Sequence, residues 1–148
     1  MPWLNKEVTR RKLNKNILLL GQFPIERMPS FYAHADTLLV SLKKDPIFSM
    51  TIPGKVQSYL MSGIPLLGML DGEGAAVIKQ AGAGLTCSAG DSVGLAAAIL
   101  KLSKMTTYER QAMGERGQIY AQKEFDRDML IDRLTTFFNE VVEKKSKC

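Results

Sequence analysis

The chain has 148 residues, of which 45% are hydrophobic and 24% charged, a balance that suits one folded domain and excludes disorder of the whole chain. Its formal net charge of +5 comes largely from the ends, with Lys6, Arg10, Arg11, Lys12 and Lys15 at one and Lys144, Lys145 and Lys147 at the other. That excess favours acidic partners (phosphates, nucleic acid, anionic lipid heads) without choosing among them, although the scattered aromatic residues exclude a base-stacking platform, so no nucleic-acid partner is expected.

Residues 1–15 form a basic N-terminal segment. The run NILLLGQF (16–23) is short, apolar and closed by Gly21, and it predicts a buried strand. Residues 25–35 predict a short helix, TLLVSL (37–42) a second buried strand, and 43–51 a loop. A helix is predicted over 52–63, with Thr51 as its cap, Pro53 in its first turn and Gly63 as its stop. IPLLGML (64–70) predicts a third strand. DGEGAAVIKQAGAG (71–84) gives a Gly-rich turn, a short helix and a glycine exit, and LTCSA (85–89) a brief fourth strand. Three helices complete the pattern, over 91–103 with Asp91 or Ser92 as cap, over 107–125, and over 127–144. The last carries Leu130, Leu134, Phe137, Phe138 and Val141 on one broad apolar stripe. Strands alternating with helices predict an α/β fold, a Rossmann-like parallel sheet of about four strands flanked by helices. The core spans 16–126, and 127–148 form a C-terminal helix and basic tail.

No GxGxxG follows a strand and no GxxxxGK[ST] is present, which disfavours a dinucleotide fingerprint and a P-loop. Cys87, Cys148 and the lone His34 have no metal-ligand spacing, so no metal site is expected, and Cys87 reads as a small core hydrophobe. Asp36 reads as a turn or capping residue. The start of the chain lacks the long apolar core and small-residue cleavage site of a signal peptide, and no run is long enough to span a membrane. Cytoplasmic residence is therefore the expectation, with peripheral membrane association through the basic ends left open.

Ligands of parallel α/β sheets bind beyond the carboxyl ends of the strands. At one such end, TIPGK opens a helix, whose first N–H groups lack intrahelical partners and whose dipole is positive there. Lys55 adds a positive charge that costs the helix about 0.3–1 kcal/mol. Two readings stand on the residues alone. Lys55 points into water, or an anion such as a phosphate or diphosphate offsets that cost, approaching the backbone at Gly54. In LDGEGAAVI, Glu73 is either a dipole-favoured first-turn residue or an acceptor for sugar hydroxyls. Phe48 and Met50 supply apolar surface near the same mouth.

The wording of three stretches, GQFPIERMPSFYAHADTLLVSL, DPIFSMTIPGKVQSYLMSGIPLLGML and EGAAVIKQAGAGLTCSAGDSVGLAAAILKL, with the tail ERQAMGERGQIYAQKEFDRDMLIDRL, resembles the carboxy-terminal, donor-binding domain of retaining glycosyltransferases of family 4, which have the two-domain GT-B fold. The resemblance covers roughly residues 16–142 and is nearest in flavour to bacterial enzymes that build surface polysaccharides. It implies sugar transfer from a nucleotide sugar, UDP-linked in preference to GDP-linked, to a saccharide or lipid-linked acceptor, with no metal in catalysis and no further cofactor. The diphosphate is expected against Ile52, Pro53, Gly54 and Lys55, with Thr51 also in the binding set, and the base around Gln22, Phe23 and Pro24. Met50 and Ser58 stand where the family often carries two glutamates that hold the donor sugar and its ribose, which leaves Glu73 as a substitute sugar contact and no residue assigned to catalysis. The resemblance also implies a strand, a helix and a further strand ahead of residue 16, and an acceptor-binding domain, none of which the sequence contains. The expectation is a truncated piece, a gene fragment or one subunit of a split transferase, inactive alone. A non-catalytic nucleotide-binding or protein-interaction domain is the alternative, and an epimerase of GT-B type a weaker one.

Overall fold

The structure, a computed structural model, describes residues 2–146, and the chain falls into two compact units, one running to Phe31 and the other beginning at Tyr32. The first unit opens with α1 (Pro2–Arg10). Proline suits a helix start because the N–H it lacks would have no intrahelical partner there. On the next turns Glu7 accepts from Arg10 Nε at 2.9 Å and from Arg11 Nε at 2.6 Å. These two guanidiniums, Arg10 before Arg11, hold the Glu7 carboxyl down to about 2. The helix closes at Lys12, which takes a left-handed φ of 57°, and the Leu13 N–H donates back to the Val8 carbonyl at 2.9 Å.

The run predicted as the first strand leaves a turn at Asn16 and forms no ladder, and Ile17, Leu18 and Leu20 are exposed. The described sheet therefore has three strands in place of about four. A strand forms only where a neighbouring strand accepts its hydrogen bonds. The backbone of 16–23 pairs with none of the three described strands, however apolar its side chains. After Pro24 comes a 3₁₀ turn (Ile25–Arg27) and then α2 (Met28–Tyr32), as the helical pattern over 25–35 predicts.

The second unit holds the sheet. β1 (Leu38–Ser41), β2 (Leu66–Met69) and β3 (Gly84–Cys87) run parallel in the order β1-β2-β3, with Leu38 opposite Leu66 and Leu66 opposite Gly84. In the central strand, Leu66 and Leu67 point to opposite faces and both are buried, so both faces are covered. Between the strands lie α3 (Pro46–Ser49), α4 (Gly54–Met61) and α5 (Glu73–Gln80), followed by α6 (Ser92–Lys104), α7 (Thr107–Glu124) and α8 (Arg127–Ser146). On one face Val56 and Leu60 of α4, Val77 and Ile78 of α5 and Ala121 of α7 pack with Val40 and Leu66. On the other, Leu95, Ala98 and Leu102 of α6 and Met113 of α7 pack with Leu67 and Leu85.

Three local expectations are corrected. The predicted loop over 43–51 contains α3, because Asp45 caps it by accepting from the Ile47 N–H at 2.8 Å with Pro46 in its first turn. Thr51 does not cap α4. Its hydroxyl turns back to the Phe48 carbonyl at 3.3 Å, and α4 begins at Gly54 behind Pro53 with no side-chain cap. Cys87 is half-buried at the end of β3, outside the two buried clusters, and its thiol donates to the Asp91 carbonyl at 3.7 Å. Burial first, then the nearby carboxylates of Asp91 and Asp71, push that thiol up from its ordinary value. Cys148 lies outside the described residues. Asp91 is the cap of α6, accepting from the Gly94 N–H at 2.8 Å.

Candidate functional site

Parallel strands put all three carboxyl ends at one edge of the sheet. There the Leu42 N–H donates to the Met69 carbonyl at 3.0 Å, the Leu70 N–H to the Cys87 carbonyl at 3.1 Å, and the Ala89 N–H to the Asp71 carboxylate at 3.2 Å. These bonds tie the segments after β1, β2 and β3 together. Two backbone contacts then bring the loops into register. Gly72, at φ 69° and ψ −143°, lies so close to the Ser49 carbonyl at the end of α3 that a Cβ there would overlap it. Gly74, in the first turn of α5, leaves room for Pro53, since a Cβ would sit 3.0 Å from the proline Cδ.

The consequence is that the N-termini of α4 and α5 stand side by side at the carboxyl edge. The stretch Met50, Thr51, Ile52, Pro53, Gly54, Lys55 and the acidic Glu73, far apart in sequence, thus share one corner of the unit. At Gly54 the space a Cβ would occupy is open, with no atom within 4 Å. The Val56 N–H donates back to the Pro53 carbonyl at 2.8 Å, while the Gly54 and Lys55 N–H groups at the start of α4 have no acceptor among the described residues, and no acidic residue occupies its first turn. Lys55 is exposed and has no ion-pair partner among the described residues. The corner therefore presents uncapped N–H groups, a helix dipole and a lysine to solvent, which is the electrostatic pattern that receives an anion.

Met50 is exposed and Ser58 lies one turn into α4, where its hydroxyl donates to the Gly54 carbonyl at 3.1 Å. Gln22 and Phe23 belong to the first unit. There the Phe23 ring meets Phe31 at 4.9 Å between centroids and carries the Arg27 guanidinium 5.1 Å above its face.

One cavity beside the corner went unread in the sequence. Leu70, Asp71, Ala75, Lys79, Thr86 and Ser88 line a space of about 350 Å³ at the ends of β2 and β3. The signal for it was the strand-end rule itself, applied one loop further along the chain. A second space, of about 310 Å³, opens at the opposite edge, where Asp36 pairs with Arg110 at 3.4 Å beside Ile99 and Leu102. Asp36 is thus tied across to α7. Among the described residues no three His, Cys, Asp or Glu side chains gather as metal ligands, and no helix is long and apolar enough to cross a membrane.

The chain is similar in fold to sucrose-phosphate synthase from Thermosynechococcus elongatus, with a TM-score of 0.80 at 16% identity over 95% of this chain. It spans 34% of that synthase chain. No curated protein sequence matches it. The sequence family described as group 1 glycosyl transferases matches residues 1–105. A match over that much of the chain, joined to a parallel α/β domain of GT-B-like fold, means that the chain belongs to the group 1 glycosyl transferases.

Proposed function

We propose that the chain is the donor side of a retaining glycosyltransferase of the family 4 type, binding a nucleotide sugar whose diphosphate rests at the N-terminus of α4. The observation that carries this reading is the uncapped α4 start, open at Gly54 and flanked by unpaired Lys55. In this reading backbone N–H groups at Gly54 and Lys55 and the lysine ammonium bind the diphosphate, and the same charges stabilise it as a leaving group. Thr51, Ile52 and Pro53 shape the approach. Gln22 and Phe23 meet the base, and Glu73 accepts from the sugar hydroxyls, with Met50 packing against the sugar. UDP is preferred to GDP. No metal and no further cofactor take part.

Transfer needs an acceptor-binding domain, supplied by further polypeptide or by a companion chain, because both substrates must be held in one closed cleft. The part of the synthase chain that this one does not span supports that requirement. The acceptor is a saccharide or a lipid-linked saccharide, the setting cytoplasmic and peripheral to a membrane, and the product a surface polysaccharide. A second reading, a binding domain without catalysis, draws on Met50 and Ser58. Neither offers a carboxylate, and the Ser58 hydroxyl proton is already given to the Gly54 carbonyl.

Calorimetry with UDP, GDP and inorganic phosphate tests the site. The reading expects UDP to bind more tightly than GDP or phosphate, with Lys55→Ala weakening it about three- to tenfold. Equal, unchanged affinities in the variant would place any binding elsewhere. Sugar release from a UDP-sugar on addition of an acceptor domain separates the catalytic from the non-catalytic reading.

A further inference from the structure

β3 ends the sheet on the side away from β1, and among the described residues no strand pairs with its outer edge. An unpaired edge is a template for another strand. Hydrogen bonding fixes which groups face outward there. The Leu66 N–H donates to the Ala83 carbonyl at 2.9 Å and the Leu70 N–H to the Cys87 carbonyl at 3.1 Å, so residues 83, 85 and 87 turn to β2. By the alternation of a strand, the N–H and C=O of Thr86 and the N–H of Ser88 turn outward. The Ser88 carbonyl is taken by the Asp91 N–H at 3.0 Å, while Thr86 bonds to no other segment among the described residues.

The space of about 350 Å³ noted above lies along this edge, with α5 as its other wall. Ala75 and Ala76 face it, and their small side chains leave it open. The Ala83 N–H donates to the Ile78 carbonyl at 3.2 Å, which turns the chain from the end of α5 directly into β3. Helix and strand therefore run in opposite directions. Lys79, in the last turn of α5, stands by the start of β3, and Asp71, which accepts from the Ala89 N–H at 3.2 Å, stands by its end. Lys79 is exposed and has no ion-pair partner among the described residues. The groove thus has a cation at one end, a carboxylate at the other and unpaired backbone groups between them.

We propose that this groove receives the carboxy-terminal tail of a polypeptide, added to β3 as a short antiparallel strand with its terminal carboxylate on Lys79. Main-chain bonds to Thr86 and Ser88 supply affinity, and the charged ends supply direction. From Gly84 to Ser88 the edge spans about 13 Å, the reach of about four or five residues. An antiparallel tail carries its carboxylate to Lys79 and sets a basic residue at its other end beside Asp71. A parallel tail would put its carboxylate beside Asp71, so the charges select the antiparallel direction. The groove uses neither Gly54 nor Lys55, and it stands whether or not the anion corner binds a diphosphate.

The test is calorimetry of the full chain with the pentapeptide KTVTV, acetylated at its amino end, with its carboxyl end either free or closed as the amide. The free acid should bind about three- to tenfold more tightly than the amide, and Lys79→Ala should remove that difference. Lys79 lies on an exposed helix face, so the variant stays folded, which circular dichroism verifies. A free-acid peptide with methylated backbone nitrogens should not bind, because it cannot donate to the Thr86 carbonyl. In the isotope-labelled chain the free acid should move the Thr86 and Ser88 amides most. No binding of the free acid at about 1 mM overturns the proposal. So do equal affinities of acid and amide, which would leave Lys79 only the task of complementing the end of α5, and so do shifts centred on Gly54 and Lys55.

Discussion

Replacing Gly72 by alanine tests the contact that aligns the candidate site. Two costs are involved. At φ 69° and ψ −143° the backbone is in a region closed to side chains, which costs about 1–3 kcal/mol. The added Cβ also overlaps the Ser49 carbonyl, so α3 must move, and an overpacked contact of this sort costs a further ~1–3 kcal/mol. Gly90 provides the internal control, since it has φ 81° but nothing within 4 Å of its Cβ position. Gly90→Ala should therefore carry only the conformational cost, and Gly72→Ala should exceed it by at least ~1 kcal/mol. Urea unfolding followed by circular dichroism is the assay. The single tryptophan, Trp3, sits exposed in α1 of the first unit and is a poor reporter of the second. Equal losses in the two variants would mean that α3 does not rest on the β2–α5 turn, and the juxtaposition of the two helix starts would fall with it.

Leu60, fully buried in the cluster beneath α4, should cost about 2–5 kcal/mol when truncated to alanine, read in the same urea titration. Glu7 has a folded value lowered from 4.5 to about 2 by Arg10 and Arg11, so its contribution is present above 4.5 and disappears as the pH falls toward 2. A carboxyl titration of Glu7 by NMR should show that midpoint, and one near 4.5 would mean the two arginines do not hold it. Cys87, its thiol pushed up chiefly by burial, should alkylate slowly near neutrality in a Cys148→Ser background, with a rate still climbing above pH 9. A plateau below pH 9 would contradict the buried setting.

The alternation of apolar runs and helices was enough to read three strands and the parallel α/β class, because strand and helix periods are local properties. NILLLGQF shows the limit. Its composition is that of a strand, but a strand exists only where a neighbour accepts its hydrogen bonds, and that is decided by chain order and not by side chains. Thr51 shows another limit. Its hydroxyl donates to the Phe48 carbonyl in α3, which forms because Asp45 caps it by accepting from the Ile47 N–H, and the α4 cap position falls to Pro53. The anion-binding character of residues 52–55 was legible from Pro-Gly-Lys at a helix start. The nearness of Glu73 was not, since it depends on Gly72 and Gly74 admitting Ser49 and Pro53. In α7, Gly114 lies where a Cβ would strike the Gly63 carbonyl, so its lack of a side chain is what lets α7 approach the end of α4, a contact between distant segments that local pattern does not show.

The diphosphate site is tested most directly by amide shifts of the isotope-labelled chain on titration with UDP. The account predicts the largest changes at Gly54 and Lys55 with smaller ones at Gly72–Gly74, and the loss of the Gly54 change in Lys55→Ala at the same UDP concentration. Saturating UDP that leaves those amides unmoved, or that shifts instead the residues around Asp36 and Arg110, would contradict it.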